Sequence, residues 1–129
     1  MVDVGSGAGF PGIPLRIVKA DIGLTLVESR RRRASFLAAV VRGLRLEDVR
    51  VVNARLEEVT EALAGRFDAV VMRCAGPHDE LFPVASKLLV KGGVVVASGA
   101  PQRDTGAELV SVPGLEAGGS RHFVLQRRA

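Results

Sequence analysis

Apolar and polar positions change period repeatedly along this chain. Short apolar runs at Met1 to Val4, Leu24 to Glu28, Val49 to Val52, Phe67 to Met72 and Val94 to Ala97 read as strands. Between them, apolar residues recur at three- and four-residue spacing, which predicts helices. The first runs from Pro14 to Ala20, with proline in its opening turn. The second spans Arg31 to Leu44, where Ala34, Leu37, Val41 and Leu44 recur at three- and four-residue spacing. A third is marked by Leu56, Val59 and Leu63 and closes near Gly65. The fourth starts at an Asp79 N-cap, buries Phe82, Ala85, Leu88 and Leu89, and ends at Lys91-Gly-Gly93. Phe67 to Met72 is apolar almost throughout, as a parallel strand covered on both faces must be.

Repeated strand–helix units of this length predict an α/β fold, a doubly wound and mostly parallel sheet. The C-terminal part departs from the repeat. Ser98 to Ala107 is too short and too rich in Gly and Pro for a helical crossover. Leu109 to Val112 and His122 to Gln126 are therefore expected to close the sheet as an antiparallel pair around a 113–120 loop. The opening strand is expected to offer an edge to another chain. One domain, residues 1–129, accounts for the length.

Composition narrows the class. Hydrophobic content is 47% and charged content 25%, which fits a globular protein. A formal charge of +4 favours a polyanionic partner such as RNA as much as it favours a merely arginine-rich surface. Trp and Tyr are absent, which disfavours a base-stacking sheet of the RRM or OB kind. A single cysteine, Cys74, permits no internal disulfide and makes a zinc cluster implausible, so no metal is expected and a reducing cytoplasm is the natural setting. No signal peptide or apolar run of membrane-spanning length is visible, so no membrane partner is expected.

The chemistry concentrates in Asp3-Val-Gly-Ser-Gly-Ala-Gly-Phe-Pro-Gly12. A strand delivers an acid, then a glycine-dense turn that opens a helix and lets a ligand approach main-chain N–H groups. Gly7-x-Gly9-x-x-Gly12 also fits the dinucleotide fingerprint, which keeps an NAD-binding Rossmann oxidoreductase as an alternative. Asp3 followed by Gly5, Gly7 and Gly9 instead matches the D-x-G-x-G-x-G pattern of S-adenosylmethionine sites. Asp3 can accept loop N–H bonds or pair with a cofactor ammonium. Glu28 ends the second strand at the sheet's carboxyl edge, where a carboxylate can accept both ribose hydroxyls. Asp68 lies early in its strand and reads as structural.

Arg30, Arg31, Arg32 and Arg33 span a full helical turn, so they cannot all face one partner, yet they begin at the same edge as Glu28. They are candidate contacts for RNA phosphates or a solvated helix face. Arg73 follows the fourth strand, where it can orient a substrate base or neutralise a cofactor carboxylate. Cys74 lacks the Pro-Cys context of a cytosine methylase nucleophile and reads as a small buried residue. His78 and His122 show no triad or ligand spacing and read as surface residues.

Taken together, the chain resembles the bacterial ribosomal RNA small-subunit methyltransferase G family, also called glucose-inhibited division protein B. The resemblance rests on Val2-Asp-Val-Gly-Ser-Gly-Ala-Gly-Phe-Pro-Gly-Ile-Pro-Leu15, Leu26-Val-Glu-Ser29, Arg32-Arg-Ala-Ser-Phe-Leu37, Asn53-Ala-Arg-Leu-Glu-Glu-Val59, Phe67-Asp-Ala-Val-Val-Met-Arg-Cys74 and Arg121-His-Phe-Val124. It implies a Rossmann-like class I methyltransferase that uses S-adenosyl-L-methionine to methylate a guanine N7 in 16S ribosomal RNA of the small ribosomal subunit. By the same resemblance Gly5, Phe10, Leu56, Glu57 and Arg73 fall on cofactor-binding positions, with Leu56 and Glu57 beside the adenine. Arg121 heads the last match and joins the candidate RNA contacts. Guanine N7 carries a lone pair and no proton, so the reaction demands alignment and no catalytic nucleophile. Family members carry a helical segment ahead of the first strand, so this domain is expected to be N-terminally incomplete. A remnant that holds cofactor or RNA without turnover is the further alternative.

Overall fold

A computed structural model describes residues 1–73, 77–99 and 106–129, with residues 78 and 79 followed through their backbone only. Cys74 therefore lies outside the described residues. Strands β1 (Val2–Val4), β2 (Leu24–Val27), β3 (Val49–Val52), β4 (Phe67–Met72) and β5 (Leu89–Ser98) alternate with helices α1 (Gly12–Val18), α2 (Arg31–Gly43), α3 (Leu56–Val59) and α4 (His78–Leu88). Strands β6 (Glu108–Pro113) and β7 (Ser120–Arg127) follow without a helix between them. The seven strands form one sheet in the order β3-β2-β1-β4-β5-β7-β6. Pairing is parallel from β3 through β5, and β7 is antiparallel to both of its neighbours.

That is the expected doubly wound sheet with its antiparallel C-terminal pair. Three expectations need correction. The opening strand is no edge: β1 lies between β2 and β4, so its backbone groups are paired on both sides. Helix α4 begins one residue before Asp79, with Pro77 at the N-cap position. Lys91-Gly-Gly93 is not a helix terminator, because the helix stops at Leu88 and Leu89 already begins β5. Gly92 and Gly93 instead exchange backbone bonds with Arg128 at 2.9 and 2.8 Å, where the β4–β5 register shifts. An irregular strand start and a helix stop use the same residue types, which is why the sequence pattern misassigned them.

The two faces of the sheet are covered unequally. On one face Val2, Val70, Val95 and Val124 are fully buried beneath α3 and α4, with Phe82, Ala85 and Leu88 supplied by α4. Full burial of such side chains stabilises by about 1.5–3 kcal/mol each. On the other face Ile13 of α1 and Leu37 of α2 pack on Leu24 and Leu26 of β2. Leu26, Asp3, Val71, Val96 and Leu125 stand side by side across five strands on this second face. Helices α1 and α2 cover only the β3-β2-β1 end of that row. Val96 and Leu125 remain half-buried.

Candidate functional site

The sheet's carboxyl edge collects most of the candidate residues. The turn from Gly5 to Pro11 joins β1 to α1, Glu28 closes β2, residues 53–55 follow β3, and Arg73 follows β4. Asp3 sits inside β1 rather than at this rim. It is fully buried, and its Oδ2 accepts the Gly12 N–H at 2.9 Å while Oδ1 has no partner. Burial pushes its carboxyl up from the ordinary 3.8 to about 6, against the lowering effects of the Gly12 N–H and the Arg73 charge. Gly12 makes the contact feasible. A Cβ at this position would lie 2.7 Å from Asp3 Oδ2 and 2.9 Å from Leu26 Cδ2.

Glu28 is also buried, at 4% exposure, so it is not the solvated acid its position before a helix would allow. Its Oε2 accepts the Gly7 N–H at 2.9 Å and its Oε1 the Arg30 N–H at 2.8 Å. The Asn53 amide donates to the Glu28 carbonyl at 2.8 Å and to the Ser29 carbonyl at 3.0 Å. One residue thus ties the glycine turn, the start of α2 and the turn after β3. A carboxylate offers about four lone-pair positions, so roughly two remain for a ligand.

The glycine turn does not present its amides as expected. Gly5 and Ser6 donate to the Val27 carbonyl at 2.9 and 3.2 Å, and Gly9 donates to the Ser6 carbonyl at 2.8 Å. With Gly7 held by Glu28 and Gly12 by Asp3, four N–H groups of the turn and the first of α1 are engaged inside the protein. The glycines serve packing instead. A Cβ on Gly9 would lie 2.5 Å from Ile13 Cδ1, at a φ of +96°. What remains is acceptor capacity, on Glu28 at the edge and on the orphaned Asp3 oxygen buried below it. Such an acceptor set suits a ligand carrying hydroxyls and an ammonium. It does not suit a pyrophosphate, which needs the turn's amides for itself.

Two cavities open here. The smaller, about 190 Å³, is bounded by Val4, Gly5, Ser29, Leu56, Glu57 and Leu81. Gly5, Leu56 and Glu57 are thereby brought together as the sequence led us to expect. The larger, about 750 Å³, lies beside the bare part of the sheet and contains Phe10 and Arg73. The Arg73 guanidinium carbon stands 5.9 Å from the centroid of the Phe10 ring. The expected cofactor residues are therefore divided. Gly5, Leu56 and Glu57 line one cavity, Phe10 and Arg73 line the other, and Asp3, Gly7, Gly9 and Glu28 support the wall between turn and sheet.

The arginines also separate. Arg30, Arg31, Arg32 and Arg33 are all exposed at the start of α2, directly after Ser29, which lines the smaller cavity. Arg121 is exposed at the start of β7 and lines the larger one. His122 is exposed, with its Nδ1 2.7 Å from the Ser111 hydroxyl across the β6–β7 pair. Asp68 is exposed early in β4, away from the rim. Residue-by-residue reading missed the bridging part played by Asn53. It also missed Ser98 and Phe123, which line the larger cavity. A strand alternation carried through β5 and β7 would have found the last two. Among the described residues no His, Cys, Asp and Glu group could hold a metal, and no helix is long and apolar enough to cross a membrane.

Comparison with known proteins gives this geometry a family. The model of rRNA small subunit methyltransferase G (GidB) matches residues 1–110. A ribosomal RNA small subunit methyltransferase G of Thermobifida fusca is 44% identical over 97 residues, covering 75% of this chain and 40% of that protein. Its counterpart in Syntrophus aciditrophicus is 39% identical over 99 residues, covering 75% of this chain and 41% of that protein. The chain thus spans well under half the length of these relatives. In fold, it is similar to M. jannaschii TYW2, a structure solved in complex with AdoMet, with a TM-score of 0.76 at 18% identity over 98% of this chain and 66% of that one. The fold is the Rossmann-like class I methyltransferase fold, and the chain belongs to the rRNA small subunit methyltransferase G family.

Proposed function

We propose that this chain forms the cofactor-binding and catalytic domain of a cytoplasmic methyltransferase that uses S-adenosyl-L-methionine to methylate 16S ribosomal RNA at a guanine N7. The observation that carries the reading is the donor–acceptor balance of the carboxyl edge. Gly5, Ser6, Gly7, Gly9 and Gly12 spend their N–H groups inside the protein, while Glu28 keeps unused lone pairs and the buried Asp3 Oδ1 has no partner. S-adenosylmethionine has hydroxyls and an ammonium to donate and no phosphate to be held. NAD would need the amides this turn has already committed.

In this reading Glu28 accepts ribose hydroxyls on its remaining lone pairs, and Leu56 and Glu57 border the adenine. Asp3 acts at one remove. It fixes the turn through Gly12 and contributes negative potential beneath it. The bound cofactor supplies a methyl group on a positively charged sulfur. Phe10 and Arg73 wall off the reacting region, where a guanine N7 lone pair needs only alignment and exclusion of water. Arg30 to Arg33 and Arg121 are assigned to RNA phosphates on the two flanks of the site.

The test has two steps. Equilibrium dialysis against labelled S-adenosylmethionine and against NAD is expected to retain only the first. Labelled-methyl transfer to undermethylated 30S subunits, followed by nucleoside analysis, is then expected to yield 7-methylguanosine. Retention of NAD alone would overturn the assignment. Cofactor binding without transfer, by this chain and by one of the relatives' full length, would favour the binding remnant.

A further inference from the structure

We propose that the edge of the sheet opposite the glycine turn is a second RNA-binding surface, which grips phosphates far from the reacting base. This rests on the ribosomal RNA substrate proposed above and adds a contact to it. Arg66 precedes β4, Lys87 lies in the last turn of α4, Lys91 is near the start of β5, and Arg127 and Arg128 end the chain's last strand and follow it. Because β7 is antiparallel to β5, its end meets the beginnings of β4 and β5. Main-chain bonds hold the five cations together. Gly65 donates to the Lys87 carbonyl and Arg66 to the Leu88 carbonyl, both at 2.9 Å. Gly92 donates to the Arg128 carbonyl at 2.9 Å, and Arg128 to the Gly93 carbonyl at 2.8 Å. All five residues are exposed. The six residues of β4 separate them from the cofactor rim by about 20 Å.

The fold itself uses only part of this charge. Arg128 donates to the Lys87 and Leu89 carbonyls, and Lys87 offsets the carbonyl end of α4. Arg66, Lys91 and Arg127 have no acidic partner among the described ion pairs. Asp68 is the single acid on β4, β5 and β7, and its charge acts on the Met1 ammonium. The β3-β2-β1 half of the same edge is different. There Lys19 is paired with Asp21 at 3.2 Å, and Glu47 and Asp48 accompany Arg45. None of the large exposed apolar side chains lies in the cationic segments. A protein partner would want an apolar centre to its interface, whereas a phosphate backbone needs only cations without counter-charges.

Filter binding of a 16S ribosomal RNA transcript over about 50–200 mM KCl tests the surface. Lys91→Gln with Arg127→Gln is expected to weaken RNA binding about tenfold and to lower the slope of log affinity against log salt by about 2. S-adenosylmethionine affinity, measured by dialysis on the same protein, is expected to stay unchanged. Arg42→Gln with Arg50→Gln removes equal charge from exposed positions on α2 and β3 and is expected to alter RNA affinity by less than about twofold. Lys91→Arg with Arg127→Lys keeps both charges and is expected to bind as the parent does. Equal losses in the two neutralised proteins, no loss in either, or no RNA binding by the parent would overturn the surface. So would loss of binding to phosphatidylglycerol vesicles in the Lys91 and Arg127 variant with RNA affinity intact. A parent that binds RNA through this edge yet transfers no methyl group would instead overturn the transferase reading alone.

Discussion

The two ends of the sheet are built to different standards. At the β3-β2-β1 end both faces are covered, five N–H groups from Gly5 to Gly12 are engaged, and the acids Asp3 and Glu28 are buried. At the β5-β7-β6 end no described helix covers one face, and β6 is exposed at five of its six residues. The closed end fixes geometry, and the open end leaves room. The proposed function, holding a small cofactor and admitting a large polymer, would use both.

The largest expected contrast is in core truncation. Leu37→Ala, at a fully buried site on α2, should lower unfolding free energy by about 3 kcal/mol in urea titrations. Leu109→Ala on the exposed β6 should change it by less than about 0.5 kcal/mol. Equal losses at the two sites would erase the distinction between the ends.

Legibility in the sequence follows the same divide. Strand ends at Val49 to Val52 and Phe67 to Met72 were readable to the residue, because each run is flanked by polar positions and at least half-buried on one face. The Leu89 to Gly93 stretch was misread, since a register shift and a helix stop both call for glycine. Asp3 and Glu28 were recognisable from their places beside the glycine turn. Their actual bonds were not, because those depend on which amides the turn folds inward, a tertiary outcome. The division of Phe10 and Arg73 from Leu56 and Glu57 was likewise invisible, since a linear motif does not say on which side of a sheet its residues emerge.

Asp3 gives the next test of the closed end. The folded protein keeps this proton up to about pH 6, whereas the unfolded chain releases it near 3.8. The folded state binds more protons across that window, so stability from this group grows as the pH falls from about 6 to about 4 and is lost on raising it. Relative to Asp3→Asn, the parent protein should gain about 2 kcal/mol over that interval, read from urea midpoints at each pH. A flat difference would mean the carboxyl is ionised at neutral pH without penalty.

Gly12→Ala should cost about 2 kcal/mol, because the added methyl meets Asp3 and Leu26 at less than 3.0 Å. Its cofactor affinity should fall along with stability, since the same atoms seat the turn. Glu28→Gln retains one acceptor oxygen for two N–H donors and should destabilise by about 1 kcal/mol. Cofactor affinity should fall about tenfold in dialysis, and an unchanged affinity would remove Glu28 from the proposed ribose contact. The smallest effect belongs to the open end. Ser111→Ala removes the hydroxyl next to His122 and should stay within about 0.5 kcal/mol of the parent.

Because β7 runs against the other strands, its beginning rather than its end arrives at the rim where the glycine turn lies. Arg121 and Phe123 therefore share a mouth with Phe10, although more than a hundred residues separate them in the sequence. Proteolytic clipping of the final hairpin would thus dismantle the side of the entrance facing the first loop.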